Sequence, residues 1–296
     1  MNYQTELRHL LYFKTLAEEL HFRKAAERLF ISQPGLTRQI KQLEEIYQVK
    51  LFDRGKRFVR LTEAGQYMKT EVDTILQQIW QMEEQLMKIG EGKQASLRIG
   101  FIGSAVQGVL PEILLKIKQL FPLMEITLQE LSNEIQLDLL SKNELEFGFV
   151  RINNNPKNLR LKPLLTEHFS LVLPNNHPIQ SDNFTSLEAF KNESFILFSK
   201  DYSSTYYELV MSIFEDHNFT PNVALRSVNA LSIFNLVAQG LGVAIVPTSL
   251  KKGYEIAVKF IELDTLPQRT TLSLAWNETN RNIGMPLFLD VLKQYT

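Results

Sequence analysis

The sequence predicts an α/β protein in three consecutive parts: a small helical head ending in a two-stranded hairpin, one long helix, and a two-lobed α/β domain. Three observations carry this. Apolar residues recur at helical spacing through the head and then give way to two short strand-like runs. An unbroken heptad pattern follows between Met68 and Ile89. From Ala95 onward, strand-like and helix-like segments alternate to the end of the chain.

The 296 residues exceed one compact core and suit two or three domains. With 44% apolar and 22% charged residues, the chain reads as globular. It has no cysteine, which excludes disulfides and thiolate metal sites and suits a reducing cytosol. The opening MNYQTELRHL lacks a basic segment followed by an apolar one, so no secretory signal is expected and the cytoplasm is the expected location. The uncharged stretch Ser227 to Leu250 is long enough for a membrane span. However, Asn229, Ser232, Asn235 and Gln239 give it a polar face, and Gly240, Gly242 and Pro247 break it. An amphipathic helix running into a buried strand, Val243–Val246, fits better.

The net charge of -1 hides an asymmetry. From Arg23 to Arg60 there are ten Lys/Arg against four Asp/Glu, a net of +6; from Gln66 onward there are 20 basic and 25 acidic residues, a net of -5. A basic block on an otherwise acidic chain points to a polyanion partner for that block.

In the head, Leu7, Leu10, Leu11, Phe13, Leu16, Ala17 and Leu20 define a first helix, interrupted at His21-Phe22. A second runs from Arg23 to Phe30, with Ala25 and Ala26 small enough for a close helix crossing. Ser32 reads as an N-cap with Pro34 in the first turn. In the third helix, Leu36, Ile40 and Leu43 share the core face, which turns Pro34, Arg38 and Lys41 outward with Thr37 beside them and Gln33 at the exposed first turn. Arg can bond guanine bidentately, Gln can bond adenine, and the Thr methyl can meet a thymine methyl, so this face suits the major groove. Val49 to Leu61 then reads as a hairpin with a basic tip. Four Lys/Arg at 54, 56, 57 and 60 favour contact with a phosphate backbone. The whole is a winged helix-turn-helix. Candidate DNA-contacting residues are Arg23, Ser32, Gln33, Pro34, Thr37, Arg38, Lys41, Arg54, Lys56 and Arg57.

The stretches FRKAAERLFISQPGLTRQIKQLEE and VKLFDRGKRFVRLTEAG resemble the DNA-binding signature of LysR-type transcriptional regulators. The resemblance implies that Gln33, Pro34, Thr37 and Arg38 approach bases or phosphates and that Arg54 reaches the backbone or minor groove. The chain departs from the family pattern at Gly35, usually proline, at Thr37, usually serine, and at Gln48, usually glycine.

Thr62 reads as the cap of the long helix. Met68, Val72, Ile75, Ile79, Met82, Leu86 and Ile89 form an a/d seam suited to pairing with a second helix. About 28 residues span roughly 42 Å. Gly90 and Gly92 end the helix. The resemblance implies dimerisation through it, a homotetramer as a pair of dimers, and RNA polymerase as a further partner of an activator. The expected domains are 1–61, the linker helix 62–92, and 93–296.

In the last of these, strands are expected at Leu97–Ile102, Ile126–Leu131, Leu145–Val150, Phe169–Leu173, Phe195–Phe198, Val243–Val246 and Thr271–Ala275. Helices are expected at Val106–Phe121, Glu134–Lys142, Thr205–His217, Asn229–Gln239 and Pro286–Tyr295, giving an open, largely parallel sheet. RIGFIGSAVQGVLPEILLKIKQLFP resembles the LysR effector domain of sensors of aromatic-catabolism diacids such as muconate, and EFGFVR, LVLPNNHP and VAQGLGVAIVP also fit that family. The implied fold is that of periplasmic binding proteins, with lobe I at 95–164 and 269–296 and lobe II at 165–268.

Ligands of such sheets sit at strand carboxyl ends against helix N-termini. The candidates are Gly103, Ser104, Ser132, Asn133, Arg151, Ser203, Ser204 and Asn229, whose hydroxyls and free N–H groups suit a small organic anion. Asn133 stands where diacid sensors commonly carry a hydroxyl. No cofactor is expected beyond this effector. An enzyme is the first rival reading, but the five histidines form no metal spacing and no catalytic motif is present. A solute-binding transport component is the second, and the attached DNA-binding segment argues against it.

Overall fold

The computed structural model describes residues 5–55, 58–90, 95–152 and 156–293, with side chains at all of these except 84, 85, 88 and 89. It divides into two compact units, residues 1–87 and 88–296.

The first unit contains α1 (Leu7–Glu19), α2 (Phe22–Arg28), α3 (Gln33–Tyr47), β1 (Phe52–Arg54), β2 (Val59–Leu61) and most of α4 (Glu63–Gly90). Local chemistry sets the helix starts. Glu6 and His9 close a capping box on α1, and Ser32 Oγ accepts the Gly35 N–H at 3.2 Å at the head of α3. Phe13, Leu16, Leu36, Ile40 and Leu43 are fully buried. Each such side chain contributes about 1.5–3 kcal/mol by leaving water. Ala25 and Ala26 are buried with them, so α2 lies close against its neighbours. β1 and β2 pair antiparallel from Phe52↔Leu61, and Phe52 packs its ring on Phe13 at 5.4 Å between centroids. At Gly65 a Cβ would stand 2.1 Å from the Leu51 carbonyl oxygen, so only glycine lets α4 start against the hairpin base.

The a/d seam of α4 is shorter than the heptad count suggests. Val72 is buried in the same core as Phe13 and Leu36, and Met68 packs against it. Val72 is thereby committed to its own domain, while Met68 packs on the same core and stays half-buried. Leu76, off the heptad, is buried there too. Of the other seam positions, Ile75, Met82 and Leu86 are exposed and Ile79 is half-buried. Ile89 lies outside the described side chains. Lys14 of α1 and Lys69 of α4 both pair with Asp73, a polar tie alongside the apolar one.

The second unit is mixed rather than largely parallel. Its first sheet has five strands in the order β4-β3-β5-β12-β6. β3 (Ala95–Phe101), β4 (Met124–Glu130) and β5 (Phe147–Val150) run parallel; β12 (Thr270–Asn277) runs antiparallel to both β5 and β6 (Leu159–Glu167). β6 escaped the sequence reading because Pro163 and two basic residues break its apolar pattern. The structure absorbs Pro163 at a register shift opposite Leu272/Ser273. α5 (Leu110–Leu120), α6 (Asn133–Ser141) and α9 (Gly284–Leu292) cover this sheet, with Phe147 stacked on Phe288 at 4.3 Å.

In the second lobe, β7 (Phe169–Pro174) pairs antiparallel with β10 (Ala244–Pro247) and β11 (Val258–Leu263). β8 (Ser194–Phe198) and β9 (Asn222–Ser227) pair in parallel, joined to β10 by the parallel bridge Phe195↔Val243. α7 (Ser204–Asp216) and α8 (Ala230–Ala238) complete it. The uncharged stretch 227–250 thus becomes α8 and β10. No helix among the described residues is long and apolar enough to cross a membrane. The chain crosses between the lobes after β6 and before β12, where Glu167 and Thr270 are paired in register.

Candidate DNA interface and ligand cavity

The outer face of α3 follows from its inner one. With Leu36, Ile40 and Leu43 buried, Gln33, Pro34, Thr37, Arg38 and Lys41 come together around one shallow groove, joined by Gln42 and Glu45. The last two were missed, although they follow Arg38 and Lys41 by the four residues that keep a helical face. Arg38 and Lys41 are exposed, and neither has an ion-pair partner among the described residues. Thr37 Oγ1 donates back to the Gln33 carbonyl at 3.0 Å, which leaves its methyl and lone pairs for an outside partner. Ser32 Oγ accepts the Gly35 N–H as the cap, and its hydroxyl proton stays free on an exposed residue.

The other DNA candidates are placed differently. Arg23 lies exposed on α2 beside Glu27 at 3.5 Å. Arg54 turns inward: its guanidinium donates to the buried Glu44 carboxylate at 2.9 Å and lies over the Phe22 ring. A free basic wing tip therefore does not describe Arg54. Lys56 and Arg57 lie outside the described residues.

In the second unit, a cavity of about 230 Å³ opens between the lobes. Six of the eight effector candidates line it: Gly103, Ser104, Asn133, Arg151, Ser203 and Asn229. Ser132 and Ser204 do not. Ser132 Oγ caps α6 by accepting the Ile135 N–H, and the Ser204 hydroxyl turns to Glu134 at 3.5 Å. Gly103 and Ser104 open a short 3-10 turn rather than a helix, and α5 starts only at Leu110.

The floor of the cavity is a polar network. Arg151 is buried, and its Nε donates to Ser104 Oγ at 3.1 Å and its Nη1 to Thr270 Oγ1 at 3.2 Å. Its other terminal nitrogen pairs with Glu167, which also accepts the Ser249 N–H and hydroxyl. The ends of β5, β6 and β12 meet in this cluster. Asn133 spans both lobes. Its Oδ1 accepts the Arg151 N–H at 3.1 Å, and its Nδ2 donates to the Arg151 carbonyl at 2.9 Å and to Ser203 Oγ at 2.8 Å.

Phe101, Phe198, Tyr202, Tyr206, Pro247, Leu250 and Tyr254 supply apolar walls, with Gln107 and Glu130 among them. Phe101, Glu130 and Phe198 end β3, β4 and β8, so the strand-end rule applied to Ser104 could have found them. Tyr254 carries no such signal. Burial, and then the Glu130 charge, pushes the Tyr202 phenol up to about 12, and the same two causes raise Tyr254. Burial above all raises Tyr206 as well. All three therefore stay neutral hydroxyls near pH 7.

Two family models match the chain: "Bacterial regulatory helix-turn-helix protein, lysR family" over residues 7–66, and "LysR substrate binding domain" over residues 90–296. The HTH-type transcriptional regulator AlsR of Bacillus subtilis (strain 168) is 35% identical over 286 residues, 97% of this chain and 95% of AlsR. CatR of Pseudomonas putida is 34% identical over 258 residues, 87% of this chain and 88% of CatR. The crystal structure of full-length BenM superposes with a TM-score of 0.59 at 27% identity, covering 98% of this chain and 96% of that one.

The chain belongs to the LysR family of bacterial transcription regulators. It is a DNA-binding regulator with an effector-binding domain, and its relatives are named as regulators, not enzymes.

Proposed function

We propose that this regulator reads a partly palindromic operator with the α3 face and reports the occupancy of its interlobe cavity by a small organic anion. The observation that carries the DNA reading is the cluster of Gln33, Thr37, Arg38 and Lys41 on the outer side of α3, with neither cation in an ion pair among the described residues. Such a face offers bidentate base contacts and phosphate neutralisation together. Two copies joined through Ile75, Ile79, Met82 and Leu86 would present two such faces to adjacent half-sites, and a pair of dimers makes the tetramer. A DNA-binding role fits a cytoplasmic protein, and an activating role would add RNA polymerase as a partner.

For sensing, Ser104 is the key donor. Its hydroxyl accepts from Arg151 Nε–H, so its own proton remains free to meet an acceptor in the cavity. The test uses DNA selected by the wild-type protein from a random pool and a small acid that alters its binding. Ser104→Ala should keep basal DNA affinity and lose the response. A normal response would reduce Ser104 to a structural role.

A further inference from the structure

We propose that the cavity accepts one carboxylate and selects monocarboxylic acids over dicarboxylic acids of the same skeleton. This rests on reading the interlobe cavity as the effector site.

The donor supply is sufficient for one acid group. The Ser104 hydroxyl has a free proton, and Arg151 has committed three of its five N–H groups, to Ser104, Thr270 and Glu167. The guanidinium brings no net charge, because Glu167 balances it in direct contact and both are buried. A second acid group finds no counter-charge in the lining, only neutral donors such as the Ser203 hydroxyl and the Asn229 amide. Asn133 adds no donor, because both protons of its amide are taken, by the Arg151 carbonyl and by Ser203 Oγ.

Glu130 adds an opposing charge. Its carboxylate lines the same cavity beside Gly103, where an added Cβ would meet Glu130 Oε1 at 2.9 Å. No cation pairs with it among the described residues. A second ligand carboxylate would either approach this charge or be buried among Phe101, Phe198, Pro247 and Leu250. A neutral second group fits instead. Gln107 Oε1 is buried in the wall without a hydrogen-bond partner among the described residues and suits a ligand hydroxyl.

The test is calorimetric titration of the full-length protein at fixed ionic strength with matched pairs: butyrate and succinate, hexanoate and adipate, benzoate and terephthalate. The monoacid should bind about tenfold or more tightly than its partner in every pair that binds, the factor expected from one unscreened carboxylate near Glu130. Glu130→Gln, isosteric and checked by its melting curve, should narrow that gap several-fold. A diacid that binds as tightly as its monoacid overturns the proposal whether or not that variant folds. A gap unchanged in Glu130→Gln overturns the part given to Glu130. If neither member of any pair binds while DNA binding persists, the acid-sensing reading itself fails, and the proposal with it.

Discussion

Arg54 donates to Glu44 at 2.9 Å, and the other oxygen of that carboxylate accepts the backbone N–H groups of Leu51 and Phe52 at 3.0 and 3.3 Å. One buried side chain on α3 thus fixes the entry to the hairpin and the orientation of its arginine. Arg54 is pinned twice, since its guanidinium carbon also lies 5.1 Å from the centroid of the Phe22 ring. Any contact it makes with DNA starts from this pose.

The two partners should differ in cost when removed. Glu44→Ala strands two buried N–H groups and should cost about 2–4 kcal/mol. Arg54→Ala should cost only about 1 kcal/mol, because its side chain is 29% exposed. Urea denaturation of the two variants measures this. Equal losses would mean that the ion pair, rather than the backbone contacts, holds Glu44.

Arg38→Ala should weaken binding to the selected DNA site by about 1–3 kcal/mol if it makes a bidentate base contact, and should relax preference at one position. Lys41→Ala should instead reduce the slope of log K against log salt by about 0.9. Fluorescence anisotropy over a salt series reads both. An Arg38 variant with unchanged affinity would remove this residue from the interface.

Gln48 ends α3 in the left-handed region, with φ 55° and ψ 33°. A residue with a Cβ is strained there by roughly 1–2 kcal/mol, and glycine is not. Gln48→Gly should therefore raise stability by about 1 kcal/mol after the larger unfolded-state entropy of glycine is counted. It also loses the Nε2 donation to the Glu45 carbonyl at 2.6 Å, an exposed bond of small net value. The sign of the shift in melting temperature decides it, and DNA preference should hold.

Along α4, Ile79→Asp and Val72→Asp should separate assembly from folding. Val72 is buried in the head, so a carboxylate there should unfold the domain. Ile79 lies beyond that core, so its variant should stay folded and dissociate. Sedimentation at low concentration, together with circular dichroism, distinguishes the two. A folded, fully dimeric Ile79→Asp protein would move the seam elsewhere.

Asp73 sets an acid limit on the head. Burial alone would raise its pKa, but hydrogen bonds and charges from Lys14 and Lys69 outweigh this and leave it below the ordinary carboxylate value. A depressed folded pKa contributes stability that is complete above the unfolded value near 3.9 and is lost as pH falls through the folded one. Asp73→Asn should be less stable than wild type by a constant margin down to about pH 4, and the gap should close only as pH falls from there through the depressed folded pKa. Melting curves from pH 2 to 7 test this, and a gap that stays constant to the lowest pH would dismiss the pairing.

What the sequence alone determined is local. The buried stripe Leu36, Ile40 and Leu43 follows from a 3.6-residue period, and the outward Arg38 and Lys41 follow from it in turn. The caps at Ser32, Ser203 and Asn229 depend on side chains within three residues of the helix start, so they too were readable. The left-handed end at Gln48 was visible as a missing glycine.

What tertiary structure decided is everything that depends on distant partners. Periodicity marks Val72 and Ile79 alike as apolar seam positions. Only packing against Phe13 and Leu36 assigns the first to the head. Strand direction was not encoded in alternation, because β12 joins the first sheet from the far end of the chain and reverses it. The cavity is the clearest case. Asn133 meets Ser203 across 70 residues of sequence, and Arg151 meets Thr270 across 119. Short-range patterning could nominate these polar residues one by one. It could not reveal that they bond to each other, and that bonding determines what charge the cavity has left for a ligand.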